Sequence, residues 1–159
     1  MEKKPLTDDN FRKVFHKWVT LGPNPRTIFV NNKAEMREFK KYGGYINNWN
    51  VSQVTSLNNM LLDDKSDPIK NAENFNDDIS KWNVSAVTNM NGMFWGAKAF
   101  NQPLEDWNVS KVEYMNGMFK EVTAFNQPLE KWDVSSVTTM SGMFEGARAF
   151  NQPLEKWNV

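Results

Sequence analysis

FNQPLEDWNVSKVEYMNGMFKEVTA, residues 100–124, runs directly into FNQPLEKWDVSSVTTMSGMFEGARA at 125–149, and FNQPLEKWNV opens again at 150. A weaker copy begins with FNDDI at 75. The period is 25 residues, and it recurs at Trp82, Trp107, Trp132 and Trp157, at the pairs Val84/Val87, Val109/Val112 and Val134/Val137, and at Met90, Met115 and Met140. An earlier copy passes from Ile46 and Trp49 through Val51, Val54 and Leu57 to Met60 and Leu61. From Leu61 to Phe75 is 14 positions, against six from Phe94 to Phe100, so segment 62–74, LDDKSDPIKNAEN, carries an insertion. An insertion between stacked repeats is expected on the surface, because each coil must still present its apolar positions to its neighbours.

A unit of 25 residues cannot enclose a core alone, so like residues must stack on like. Leu104, Trp107, Val109 and Val112 are too irregular for a long helix and read as a short extended segment. Met115, Met118 and Phe119 fall at i, i+3 and i+4, which predicts one or two helical turns. The expected fold class is an α/β repeat solenoid whose Trp, Phe and Met columns form a continuous core. Gly92, Gly117 and Gly142 share one slot with Asn59, which predicts a positive φ or a close backbone approach. Gly96 and Gly146 instead share a slot with Glu121, which argues against a left-handed residue there. Asn76, Asn101, Asn126 and Asn151 are expected to stack as a ladder of amides that satisfies backbone groups between coils.

Residues 1–45 differ in kind and read as a helix–strand–helix cap ahead of a repeat domain at 46–159. Thr7 is a candidate N-cap for a helix carrying Phe11, Val14, Phe15, Trp18 and Val19. LGPNPR ends that helix, Thr27–Val30 reads as a strand, and Asn32 with Glu35 signals a second helix bearing Met36, Phe39 and Tyr42 before Gly43 and Gly44. At the other end the last coil has supplied only Phe150, Leu154, Trp157 and Val159. The apolar edge this leaves is expected to meet another protomer, a partner or further residues.

The elements WNVSxVTxMxGMF and FNQPL, over roughly residues 46–159, resemble the repeats of the BspA-type leucine-rich-repeat surface-protein family, found in bacterial surface proteins, mycoplasma lipoproteins and large DNA viruses. The resemblance implies a leucine-rich-repeat-like solenoid that acts by protein binding or adhesion, with no catalytic residue to carry over. It also implies a cell-surface, secreted or virion-associated location. The chain itself shows no signal peptide and no membrane-length apolar run, which by default points to an intracellular protein.

Composition narrows the chemistry. Lys plus Arg and Asp plus Glu both total 19, so nothing in the net charge draws the chain to nucleic acid or to anionic membrane. The charge is nevertheless divided: residues 1–41 hold ten basic and five acidic side chains, a balance of +5 that the rest of the chain cancels. Cysteine is absent and His16 is the single histidine, so the usual zinc sites and a Ser/His nucleophile would all rest on one side chain, which reads better as a helix-surface or cap residue. No cofactor is expected. Asp63, Asp64 and Asp67 in the insertion lack the spacing and glycine of an EF-hand loop and read as an acidic loop. Asn50, Asn83 and Asn108 open N-x-S triplets, but Asp133 in the same slot favours a turn role over a glycan.

The expected function is that of a non-enzymatic scaffold for an unidentified protein partner. Its candidate contact residues are the outward slots Trp95, Lys120 and Glu145, the neighbouring row Lys98, Thr123 and Arg148, and the loop residues Asp63, Asp64 and Asp67. A carbohydrate-binding adhesin would need exposed aromatic rows. A structural or virion component would self-associate through the C-terminal edge.

Overall fold

A computed structural model describes residues 3–22 and 33–158. Among the described residues, helix α1 at Asp8–Thr20 and helix α2 at Lys33–Lys40 come first, and short 3-10 turns follow at Ile46–Asn48 and Ala72–Asn74. The amide of Thr7 donates to Asn10 Oδ1 at 3.1 Å and closes the start of α1, as the sequence predicts for that threonine. The candidate strand Thr27–Val30 and the cap candidate Asn32 lie outside the described residues, while the helix expected after them is present as α2. Gly43 and Gly44 follow α2 with φ of 122° and 80°.

From residue 46 onward successive repeat units, the first lengthened by the 62–74 insertion, are joined each to the next. Parallel bridges join Ser56 to Asn89, Asn89 to Tyr114 and Tyr114 to Thr139. The amides around these bridges alternate in destination. Those of Met90, Gly92, Phe94 and Gly96 donate to the carbonyls of Tyr114, Asn116, Met118 and Lys120 in the next coil, at 2.8–2.9 Å. Those between them, on Met93, Trp95 and Ala97, close local turns onto Met90, Gly92 and Phe94. The stretch read as one or two helical turns is therefore a string of tight turns without a helix. A helix would send every amide inward along its own axis, whereas here every second amide serves the neighbouring coil.

That alternation fixes the backbone angles. Asn59, Gly92, Gly117 and Gly142 have φ of 47°, 55°, 57° and 62°, as the shared Gly/Asn slot predicts. The second slot corrects the reading of the sequence: Gly96, Glu121 and Gly146 all adopt positive φ, at 75°, 60° and 73°. Glu121 takes the left-handed conformation because its amide must reach Glu145 O, at 2.7 Å, as Gly96 reaches Lys120 O. A glutamate tolerates this at a cost of about 1–2 kcal/mol.

The core is columnar. Phe75, Phe100, Phe125 and Phe150 stack face to face with centroids 5.8, 6.1 and 5.9 Å apart, and Phe94, Phe119 and Phe144 form a second column at 5.5 Å steps. Each such ring pair adds about 0.5–1.5 kcal/mol to the burial of its area. The indoles are also satisfied: buried Trp82, Trp107 and Trp132 and half-buried Trp157 donate Nε1–H to the carbonyls of Ile46, Ile79, Leu104 and Leu129 in the preceding coil. At the bend the asparagine ladder forms. Asn76, Asn101 and Asn126 accept through Oδ1 from the amides of Asn101, Asn126 and Asn151 at 2.9–3.0 Å, and Gln102, Gln127 and Gln152 donate to the same oxygens.

The strain at Glu121 is testable. Replacing this exposed residue with glycine, Glu121→Gly, should stabilise the protein by about 1 kcal/mol, seen as a higher urea midpoint at unchanged m-value. Gly96→Glu should lower the midpoint comparably, and a neutral or destabilising Glu121→Gly would remove strain as the description of this slot.

Candidate interaction surfaces

Four surfaces can meet a partner: the head covered by α1, the loop at 62–74, the outward columns and the tail edge. At the head, the first coil has no coil before it, so its outward backbone groups need substitutes. One face of α1 provides them at four-residue spacing. The Asp8 carboxylate accepts from the amides of Thr55 and Ser56 at 2.8 and 3.2 Å and from the Thr55 hydroxyl. In later coils the corresponding amides of Thr88, Glu113 and Thr138 bond to the backbone carbonyls of Thr55, Thr88 and Glu113. Arg12 donates to the carbonyls of Asn58, Asn59 and Leu62 at 2.7–3.0 Å, and His16 Nε2 lies 2.9 Å from Met60 O. In the register of the bridges, the carbonyls of Asn58, Met60 and Leu62 are the ones that a preceding coil would engage.

The other face of α1 is apolar. Phe11, Val14, Phe15, Trp18 and Val19 are buried, Phe15 meets Phe75 edge-on at 5.4 Å, and Trp18 meets Trp49 at 5.6 Å. Trp18 Nε1 donates to Asp77 at 3.0 Å, and burial raises the pKa of that carboxyl despite the bond.

A carbonyl can only accept, so His16 carries its proton on Nε2. Burial is the largest influence on the imidazole and lowers its pKa from the ordinary 6.5; the Met60 carbonyl and the two loop aspartates oppose this and Arg12 adds to it. Burial likewise works against the Asp8 anion, but its bonds from Thr55 and Ser56 outweigh that and hold its pKa below the usual value.

The loop is less free than an insertion need be. Leu62 and Ala72 are buried, Leu62 bridges Pro68, and Asn71 Nδ2 donates to Thr20 O at 3.1 Å, beside a weaker contact with Val19 O. The insertion thus caps the C-terminal end of α1, where helix carbonyls lack intrahelical partners. Asp63 Oδ1 accepts from the amides of Lys65 and Asp67, and these bonds lower its pKa. Asp64 and Asp67 are exposed beside it. Among the described residues, no three His, Cys, Asp or Glu side chains gather where they could hold a metal ion.

The structure does bring the outward slots together. Lys120 Nζ lies 5.4 Å from the centre of the Trp95 ring and 3.0 Å from Glu145 Oε2, so the three residues form one continuous column. Trp95 is 39% exposed, unlike the Trp49, Trp82, Trp107 and Trp132 rows, which are buried. Lys98 and Arg148 are exposed and Thr123 is half-buried, with its hydroxyl on Lys98 O; Lys98 also pairs with Glu73 of the loop. Asn50, Asn83 and Asn108 are engaged in turns, each accepting from the serine two residues on, and Asp133 does the same. Sequence reading missed the roles of Asp8, Arg12 and Asn71. The 8, 12, 16 spacing was its available signal for the first two.

The model of a family described as "Mycoplasma protein of unknown function, DUF285" matches residues 10–67 and 63–159. No curated protein and no solved structure matches the chain. Among the described residues no helix is long and apolar enough to cross a membrane.

The lowered His16 pKa fixes the sign of a pH effect. Below 6.5 the unfolded chain takes up a proton that the folded chain resists, so stability is full above that pH and falls as pH drops through the folded value. His16→Gln, which keeps an N–H for Met60 O, should flatten this limb of a urea-midpoint profile, because no second histidine can supply it. Arg12→Ala should cost about 2 kcal/mol above pH 6.5, where His16 is neutral in both states, since it leaves carbonyls without their charged donor. An unchanged limb in the glutamine variant would refute the role given to His16.

Proposed function

This chain belongs to the DUF285 family of mycoplasma proteins, and from that premise we propose that it is a non-enzymatic, BspA-type, leucine-rich-repeat-like solenoid that binds another protein through its lateral face. The observation that carries the reading is the contrast between slots. Core positions stay apolar and ladder positions stay asparagine from coil to coil, while the column Trp95, Lys120 and Glu145 changes aromatic for cation for anion at the same place on successive coils. Variable side chains on a fixed spacing are what a repeat scaffold uses to recognise a partner. Lys98, Thr123 and Arg148 extend this surface, and Lys98 links it to the 62–74 loop through Glu73.

An exposed Trp with a cation over its face is the kind of group that dominates a protein interface. Sugar stacking would call for aromatic rows open to solvent, and here the repeating Trp and Phe rows fill the core. Display at a cell surface goes with the BspA-type reading and is part of the proposal.

The test is capture from a lysate of the source cell or its host, using the intact chain, Trp95→Ala, Lys120→Glu and a chain with 62–74 shortened to the standard repeat. Trp95→Ala and Lys120→Glu should each weaken capture of a specific protein at least tenfold, about 1.4 kcal/mol, while thermal melting stays the same. Undiminished capture by both would sink the lateral face as the binding surface, and loss only in the shortened chain would move the site to the loop.

A further inference from the structure

The second coil departs from the repeat at two adjacent positions. It reads FNDDI where later coils read FNQPL, so Asp77 and Asp78 take the slots of a glutamine and a proline. Gln102, Gln127 and Gln152 donate to the asparagine of the coil before, which a carboxylate cannot do. Asp77 turns to the cap instead. Its Oδ2 accepts from Trp18 Nε1 at 3.0 Å, its Oδ1 has no donor, and no cation pairs with it among the described residues. A half-buried anion is a costly way to serve one indole, since a neutral amide oxygen accepts the same N–H with no charge to bury.

Asp77 lines a hollow of about 380 Å³ where α1 meets the first two coils. Trp18, Tyr45 and Ile46 form its apolar wall, and Asn47, Asp77 and Asp78 its polar wall. Asn47 Oδ1 is buried and has no hydrogen-bond partner among the described residues. Asp78 commits Oδ1 to the amide and hydroxyl of Ser80, and these bonds lower its pKa and keep it an anion. Lys3 Nζ donates to Asn48 O beside them at 3.2 Å and pairs with neither carboxylate. The hollow thus gathers two negative charges and an unmet amide oxygen, with too few donors to serve them. Its occupant has to be a cation that carries N–H groups. A calcium ion fits poorly, because two carboxylates and one amide oxygen fall short of the roughly six to eight oxygens it takes. We propose that this hollow binds an ammonium or guanidinium group on an aliphatic stem, with Asp77 as its counter-ion, Asp78 beside it and the stem against Tyr45 and Ile46. A free amine and a lysine or arginine side chain of a protein carry the same group, so the site chemistry is common to both. The site stands on the cap and the second coil and does not need the lateral-face reading.

The deciding experiment follows two signals of the full chain by NMR, the Trp18 indole N–H bonded to Asp77 and the Ser80 amide bonded to Asp78. Butylammonium, butylguanidinium, tetramethylammonium and calcium, all as chlorides, are added at constant ionic strength. Butylammonium or butylguanidinium should shift both signals saturably, and tetramethylammonium, which has the charge without an N–H, should bind at least tenfold more weakly. Asp77→Asn keeps an acceptor for Trp18, so it should fold with an unchanged or higher urea midpoint, yet bind the N–H cation at least tenfold more weakly as read on Ser80. The acetylated and amidated tripeptides Gly-Lys-Gly and Gly-Arg-Gly separate the sources: tighter binding than the free amines assigns the site to a protein side chain, and weaker binding assigns it to a small amine. Absence of a saturable shift with both N–H cations overturns the proposal. Equal binding by Asp77→Asn does so too, as does equal binding of tetramethylammonium, and tighter binding of calcium would make the hollow a metal site instead.

Discussion

From Met90 to Gly96, and again from Met115 to Glu121, every second backbone amide is committed to the next coil. Met90, Gly92, Phe94 and Gly96 reach across, while Met93, Trp95 and Ala97 turn back. A net hydrogen bond contributes only about 1 kcal/mol, but a buried amide left without a partner costs more. The arrangement is therefore valuable chiefly because it leaves few backbone groups unsatisfied inside the stack. It also dictates conformation, since in the coils from Phe75 on a chain that alternates inward and outward amides through tight turns passes through the left-handed region twice, at the slots of Gly117 and Glu121. The side-chain columns depend on that spacing: rings separated by one coil can stack at 5.5–6.1 Å only because the backbone ladder holds each coil one strand-width from the last.

What could be read from the sequence and what could not divides along this line. The period, the core columns and the asparagine ladder are legible, because each depends on one residue type repeating at one slot. The positive φ at Gly92 is legible for the same reason, with Asn59 as the informative exception. The positive φ at Glu121 is not. A backbone demand there is imposed by a hydrogen bond to a neighbouring coil, and the residue that meets it gives no sign of doing so. The MxGMF segment misleads by its i, i+3, i+4 spacing, which a turn string closing onto every third residue produces as readily as a helix does.

Of the candidate surface, the outward slots were legible by elimination: positions that vary while their neighbours repeat have no role in the ladder. Their mutual contact was not, because the Lys120 side chain reaches backward to Trp95 and forward to Glu145 in ways that spacing alone leaves open. The 62–74 loop shows a deeper limit. Its acidic, proline-containing sequence looks detachable, yet Leu62 and Ala72 enter the core and Asn71 ends α1. An insertion that has become part of the cap cannot be recognised until the helix it serves is in place.

The head and tail of the stack present opposite needs, and this inequality gives the array its direction. The first coil has surplus carbonyls at Asn58, Met60 and Leu62 and surplus amides at Thr55 and Ser56. A helix advances about 6 Å every four residues, so Asp8, Arg12 and His16 on one face of α1 span that row with an acceptor followed by donors. A strand or coil placed there would bring outward groups of its own and pass the need on to the next layer. A helix does not, because its own amides and carbonyls are bonded along its axis and only side chains face the ladder. The chain thus uses backbone where the array propagates and side chains where it stops. On that physical ground α1 is a terminus of the stack, while the edge at residues 134–158 still has the bonding pattern of an interior layer.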